Sequence, residues 1–326
     1  MSRIEAAEVP AHLDGQRLDA VAAQLFHAWS RARLKSWIDD GALTVNGSRY
    51  EKSRLPVAAG DRLELTVEET PLAGNDRPQA IPLEVVYEDD DIAVINKPSG
   101  LTVHPGAGQS DSTMQNALLH RFPKTELLPR AGLVHRLDKD TSGLLIVGLT
   151  LEAYTRLVSD MAAREINREY DALVNGAMTA GGTVDQPIGR DPRNRLKMAV
   201  VTDGRPAITH YRVQERFPNH TLLRVKLETG RTHQIRVHMT HILHPIVGDG
   251  VYGGKVTRGR NIDETLRAAL NGFPRQALHA RELRLEHPIS GEELAFACEP
   301  PADMQRLLAR LRVDAAQIAA AAAAAR

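Results

Sequence analysis

One cysteine, Cys298, stands in a chain of 326 residues. A lone thiol can build neither an intrachain disulfide framework nor a thiolate cluster for zinc. No stretch approaches the roughly eighteen consecutive apolar residues that a membrane span requires. The opening Met1-Ser2-Arg3-Ile4-Glu5 has no apolar run behind it to act as a signal peptide. These absences lead to the expectation of a cytoplasmic protein. Internal repeats of fixed period are missing too, and so is net charge: 41 basic residues balance 41 acidic ones. A uniformly basic nucleic-acid binder is thereby excluded. What is present is an ordinary globular composition, 42% hydrophobic and 25% charged. The length exceeds one average domain, so one large unit plus a small one is expected.

The neutral total conceals two basic regions. Residues 131–260 carry 19 basic against 13 acidic groups, and residues 31–54 carry 6 against 3. Such an arrangement suits a polyanion held at defined surfaces, although a solvated charged face would look the same by counting.

Along the chain, residues 1–16 read as an N-terminal extension and 17–69 as a small unit. Leu18, Val21, Ala22 and Leu25 repeat with helical spacing. Ser30 can cap a second helix in which Leu34, Trp37 and Ile38 share a face and Gly41 marks the stop. Arg31, Arg33 and Lys35 decorate the rest of that helix. Leu43-Thr44-Val45 then meets Asn46-Gly47, a hairpin signal, and Arg62 to Val67 alternates as a strand. Residues 70–82, with Pro71, Gly74, Pro78 and Pro82, form a linker by composition. The larger unit spans 83–312, and 313–326 is an alanine-rich tail. In the larger unit, Leu83–Tyr87 and Ile92–Ile95 read as a hairpin and Met114–His120 as a helix. Further strands are expected at 144–147, 169–174, 210–213, 221–227 and 234–237. Short strands with few strand–helix–strand alternations favour an α+β fold on a mixed, largely antiparallel sheet.

The densest chemistry lies in His135-Arg136-Leu137-Asp138-Lys139-Asp140-Thr141-Ser142-Gly143, which runs directly into Leu144-Leu145-Ile146-Val147. A buried strand cannot keep unpaired charge beside it cheaply, so the cluster is either a self-paired turn or the lining of a site. Spacing alone leaves Asp138 and Asp140 nearly equal as the reactive carboxylate. Three segments accompany it: Arg168 to Val174 with Tyr170 in a strand-like alternation, Gly189 to Val200 with several cations, and Thr229-Gly230-Arg231-Thr232-His233-Gln234-Ile235-Arg236-Val237-His238.

Together these runs resemble the RluA family of pseudouridine synthases, and within it the RluD subgroup acting on large-subunit ribosomal RNA. The resemblance also takes in Asn96-Lys97-Pro98, Arg275-Gln276-Ala277-Leu278-His279-Ala280 and His287-Pro288-Ile289-Ser290-Gly291. The first fifty-odd residues of the small unit are similar to the S4 RNA-binding domain. Gly148-Leu149 and Gly250 depart from the family pattern, away from the presumed reacting groups. The resemblance implies an isomerase that breaks the N1–C1′ bond of uridine, turns the base and rejoins it through C5, with no cofactor, nucleotide or metal. It implies Asp138 as the catalytic carboxylate, with Asp140 left as a turn or capping group. Arg231 is then its counter-ion, and Tyr170 the aromatic wall that can take the C5 proton. Ile235 packs the other side of the base, and Arg136 fills the space of the everted nucleotide. His135 supports the loop or meets RNA phosphate, and Arg193, Arg195 and Lys197 track the backbone with Arg31, Arg33 and Lys35. The implied substrate is the helix 69 hairpin of 23S ribosomal RNA, with another ribosomal uridine or a transfer RNA as the alternative. No long apolar stripe demands a partner, so a monomer is expected.

Two rivals come from other classes. His233, His238, His241 and His244 invite a metal-dependent RNA hydrolase, but on a strand His233 and His238 would face opposite sides. A non-catalytic RNA-binding or ribosome assembly protein would use the basic regions alone.

Overall fold

The computed structural model describes residues 2–26, 29, 31–50, 52–68, 77–106, 109–253 and 262–324, without the side chains of 2, 3, 31–33, 67 and 68. The expected cap Ser30, the side chains of Arg31 and Arg33, and the linker over 69–76 therefore lie outside the described residues.

Helical spacing and turn chemistry build the smaller unit. It comprises β1 (Ser2–Glu8), α1 (Leu18–Leu25), α2 (Arg31–Asp39), β2 (Leu43–Val45), β3 (Ser48–Arg49) and β4 (Arg62–Glu68). The apolar stripes of both helices, including Leu18, Val21, Leu34 and Ile38, are buried with Leu43, Leu63 and Leu65. Asn46 and Gly47 both take positive φ, 51° and 78°, as a two-residue hairpin turn demands. The sheet order is β1-β4-β2-β3. Residues 2–8 are thus no extension outside this unit: they pair antiparallel with β4 from Ser2↔Glu68 to Glu8↔Arg62. An edge strand is held by its ladder, and Ile4 remains 67% exposed, so no burial pattern marked it.

The larger unit begins with the hairpin β5 (Glu84–Glu88) and β6 (Ile92–Lys97), followed by α3 (Met114–Arg121), β7 (Ser142–Gly148) and α4 (Leu151–Ala163). Next come β8 (Asn167–Asn175), β9 (Gly182–Asp185), the small hairpin β10 (Ile188–Arg190) and β11 (Met198–Val200), then β12 (Ile208–Arg216) and β13 (His220–Leu227). The chain closes with α5 (Gln234–His241), α6 (Glu264–Asn271), β14 (Leu278–Glu286), β15 (Glu293–Ala297) and α7 (Ala302–Ala324). Nine strands form one sheet in the order β5-β6-β7-β14-β8-β13-β12-β9, with β15 added beside β14. Among the described strands only the β7–β14 pair is parallel, so the α+β architecture on a mixed, largely antiparallel sheet is what the structure holds.

Two differences from the expected elements bear on function. Gln234 to Val237, expected as a strand, opens helix α5. All six residues from Gln234 to Met239 are buried, so the segment is covered on every side and shows no helical stripe. The expected boundary at 312/313 falls inside α7, whose Met304, Leu307, Leu308 and Leu311 are buried while its alanine-rich end is largely exposed. No helix among the described residues is long and apolar enough to cross a membrane.

Candidate active site

The sheet delivers the polar run at the mouth of β7. All seven residues of β7 are buried, so the run before it must turn sharply to present its side chains. It does so between Asp138 and Thr141, where the Thr141 N–H donates to the Asp138 carbonyl at 3.0 Å. Three further anchors fix that turn. Lys97, fully buried at the end of β6, donates from Nζ to the carbonyls of Pro98, Leu101 and Lys139 at 2.8–2.9 Å. Arg275 reaches the Asp140 carbonyl at 3.2 Å while both its remaining nitrogens grip Asp303 at the start of α7. Gln276 donates to Thr141 Oγ1 at 3.1 Å. Gly143 then lets β14 approach: a Cβ there would lie 2.2 Å from the Ala280 carbonyl oxygen.

The turn opens onto a cleft of about 820 Å³. Its walls bring together Arg136, Asp138, Tyr170, Arg231 and Ile235, with His135 beside them. The Asp138 side chain is 15% exposed, and its Oδ2 accepts from Arg236 Nη1 at 3.0 Å. The counter-ion expected at Arg231 is therefore Arg236. Arg231 instead donates its Nε to the Pro206 carbonyl at 3.0 Å. The helical geometry of α5 explains the exchange, because a strand reading gave no reason to turn residue 236 toward residue 138.

Arg236 carries two carboxylates. Its Nε and Nη2 bind Asp249 at 2.7 and 2.9 Å, leaving Nη1 for Asp138. Burial opposes a charged guanidinium, but the hydrogen bonds and charge of Asp249, then Asp138, outweigh it and raise the pKa further. Burial would likewise raise Asp249, yet Arg236 and the N–H groups of Tyr252 and Val251 hold it below the usual carboxylate range. Tyr252 lies under the Arg236 guanidinium, 5.0 Å from Cζ to ring centroid, and its hydroxyl meets His233 Nδ1 at 2.8 Å. His233 Nε2 lies 3.9 Å from Asp138 Oδ1. Burial pushes that imidazole down, with Asp138 opposing and Arg236 and Arg136 assisting. Arg236, Asp249, Tyr252 and His233 were missed as site residues from sequence. Arg236 and His233 stood inside the singled-out run; Asp249 and Tyr252 had no periodic or spacing signal.

Tyr170 is buried on β8 and makes no hydrogen bond through its hydroxyl among the described residues. Burial raises its phenol pKa, Arg168 opposes that and Asp138 adds to it, so the hydroxyl carries its proton at neutral pH. His135 accepts the Ile146 N–H on Nε2 at 3.2 Å, which supports the loop, and burial pushes it down to about 3. Arg136 is exposed at the cleft, and no polar partner contacts it among the described residues. Ile235 is buried on α5 against the main core. The Asp140 side chain makes no capping hydrogen bond among the described residues; its carbonyl serves Arg275 instead.

Arg193, Arg195 and Lys197 lie apart from the cleft lining, on the turn between β10 and β11. Lys197 Nζ donates to the Val251 carbonyl at 2.8 Å. In the smaller unit Lys35 is exposed and paired with Asp39 at 3.0 Å. His238 has both nitrogens occupied, by Thr209 Oγ1 and the Gln186 carbonyl. His244 Nδ1 meets the Asn175 carbonyl, and no group of three potential metal ligands occurs among the described residues.

Residues 91–241 match the RNA pseudouridylate synthase family and 16–63 match the S4 domain. A ribosomal large subunit pseudouridine synthase D from Pseudomonas aeruginosa is 54% identical over 95% of this chain and 96% of its own length. Proteins of the same name from Escherichia coli K12 and Xanthomonas campestris are 53% and 51% identical, covering 92% and 98% of this chain and 92% and 96% of theirs. Among solved structures, human RNA pseudouridylate synthase domain containing 4 superposes with a TM-score of 0.55 at 26% identity, over 70% of this chain and 93% of its own. The chain therefore belongs to the RNA pseudouridine synthase family, in the group of the large-ribosomal-subunit pseudouridine synthases D, and is an isomerase acting on uridine in RNA.

Proposed function

We propose that this isomerase converts uridines of 23S ribosomal RNA to pseudouridine, in the helix 69 stem-loop, with Asp138 as the catalytic carboxylate. The observation that carries the catalytic part of the reading is the Asp138–Arg236 pair in one cleft with Tyr170, and the ribosomal substrate is supported by the name of the similar proteins and by the S4 domain. The uridine must leave its stack to enter, at a cost of a few kcal/mol, and Arg136 at the rim is free to occupy the vacated space. Between Tyr170 and Ile235 the uracil finds apolar walls for both faces. Breaking N1–C1′ leaves electron density on the base and deficiency at C1′; a carboxylate held by Arg236 is placed to stabilise or attack the latter. The base turns, C5 bonds to C1′, and the proton lost from C5 is balanced by one gained at N1. Because Tyr170 starts protonated, it can take the C5 proton only by releasing its own. Arg231, anchored to Pro206, offers its charge to the RNA. The S4 domain with Lys35, and Arg193, Arg195 and Lys197 on their hairpin, extend the phosphate contacts. The protein acts as a cytoplasmic monomer without a cofactor.

The test is pseudouridine mapping across 23S ribosomal RNA from cells lacking this chain. Loss confined to helix 69, restored by the wild-type chain, is expected. Retention there with loss at another ribosomal or transfer RNA site would refute the site assignment.

A further inference from the structure

The cleft holds more positive charge than its own carboxylates answer. Arg236 is matched by Asp138 and Asp249, and Arg164 by Glu228 at 2.7 Å. Arg130, Arg136, Arg168 and Arg231 line the same cleft with no carboxylate partner among the described residues. Three of them can swing toward water. Arg168 cannot: it is 8% exposed, and its Nε is a buried donor without a partner. Among the described residues no hydrogen bond or ion pair reaches any atom of its guanidinium. The Gly230 backbone closes over it, since a Cβ at Gly230 would sit 3.3 Å from Arg168 Nη1. An unpaired buried cation costs several kcal/mol and persists only where something repays it.

A second donor lines the same cleft. His135 accepts on Nε2, so its single ring proton sits on Nδ1, and that atom is also buried without a partner. Arg168 and His135 are close enough for the guanidinium charge to disfavour protonation of the imidazole. Arg168 stands two residues before Tyr170 on β8, so both point to one face, about 7 Å apart along the strand. That spacing matches the reach from a base stacked on Tyr170 to the phosphate of its own nucleotide.

We infer that Arg168, with the Nδ1–H of His135, is the seat of the phosphodiester flanking the everted uridine. A guanidinium poor in partners is completed by an anion with two free oxygens, which a neutral uracil edge does not supply. The inference rests on the reading that the uridine lies between Asp138 and Tyr170. It makes Arg168 a positioning residue: it anchors the backbone so that C1′ meets Asp138.

The experiment compares wild type, Arg168→Met and Arg168→Lys on full-length unmodified 23S ribosomal RNA, reading melting temperature, affinity against salt and single-turnover rate. Arg168→Met is expected to melt higher than wild type, because it removes an uncompensated buried charge at similar volume. It should bind about tenfold more weakly, with the salt slope reduced by about 0.7 to 0.9. Arg168→Lys should restore most of the slope, since a point charge still serves a phosphate. A lower melting temperature for Arg168→Met, or an unchanged salt slope in both variants, would overturn the inference. Failure of the underlying reading looks different: Asp138→Asn would then still form pseudouridine, whatever Arg168 does.

Discussion

Arg236 decides the site's electrostatics because one guanidinium serves two carboxylates on different loops. Removing it leaves the buried carboxylate of Asp249 with only the N–H groups of Val251 and Tyr252 and no counter-charge, and frees Asp138 to rotate, whereas Arg231 touches neither. Arg236→Met should therefore lower the single-turnover rate by about 10³-fold or more, while Arg231→Met should lose about tenfold or less, mostly in binding. Equal losses in the two variants, measured on the same RNA, would show that the pairing seen here is not the one used in catalysis. That Asp138, Arg136 and Ile235 line one cleft was expected from two dense runs, and Tyr170 joins them there from a strand-like alternation. The choice between two arginines five residues apart was not legible in the sequence. It depends on whether residues 234–238 form a strand or a helix, and burial on all sides hid that period.

At the scale of elements, the site depends on how closely β14 can approach β7. Gly143 sits at φ +113°, a conformation that disfavours any Cβ, and faces the Ala280 backbone. Gly143→Ala is expected to destabilise the protein by about 3 kcal/mol or more, seen as a lower urea midpoint, with activity falling in parallel. An unchanged midpoint would mean that the two strands can separate without cost. Strands β5, β6, β8, β12 and β13 were readable because alternation or continuous apolar runs coincide with their ladders. β1 was not, since its contribution is backbone pairing at an edge. Helix α7 was glimpsed only at its alanine-rich end, whereas its buried stripe and the Asp303 latch on Arg275 lie upstream.

The whole molecule holds four histidines in neutral form, His104 and His135 at the cleft and His220 and His279 in the buried interior. Burial pushes His104, His220 and His279 down to about 4, and His135 to about 3, from an ordinary 6.5. In the unfolded chain these rings take up protons below about pH 6.5, while the folded chain resists until near pH 4. Stability is therefore full above pH 6.5 and is lost as the pH falls toward 4. Thermal melts should show a drop of at least about 5 °C between pH 7 and pH 5. A flat profile would place those rings in contact with water.

The charge balance of the whole chain, zero overall yet cationic at the cleft, is what a substrate-shaped polyanion site requires. Whether that cleft performs chemistry is decided most directly by one substitution: Asp138→Asn assayed for pseudouridine on unmodified 23S ribosomal RNA, with affinity measured alongside. Product should fall below detection while affinity stays within about threefold of wild type, because the amide keeps the shape and loses the carboxylate. Product formed at the wild-type rate would contradict Asp138 as the reacting group.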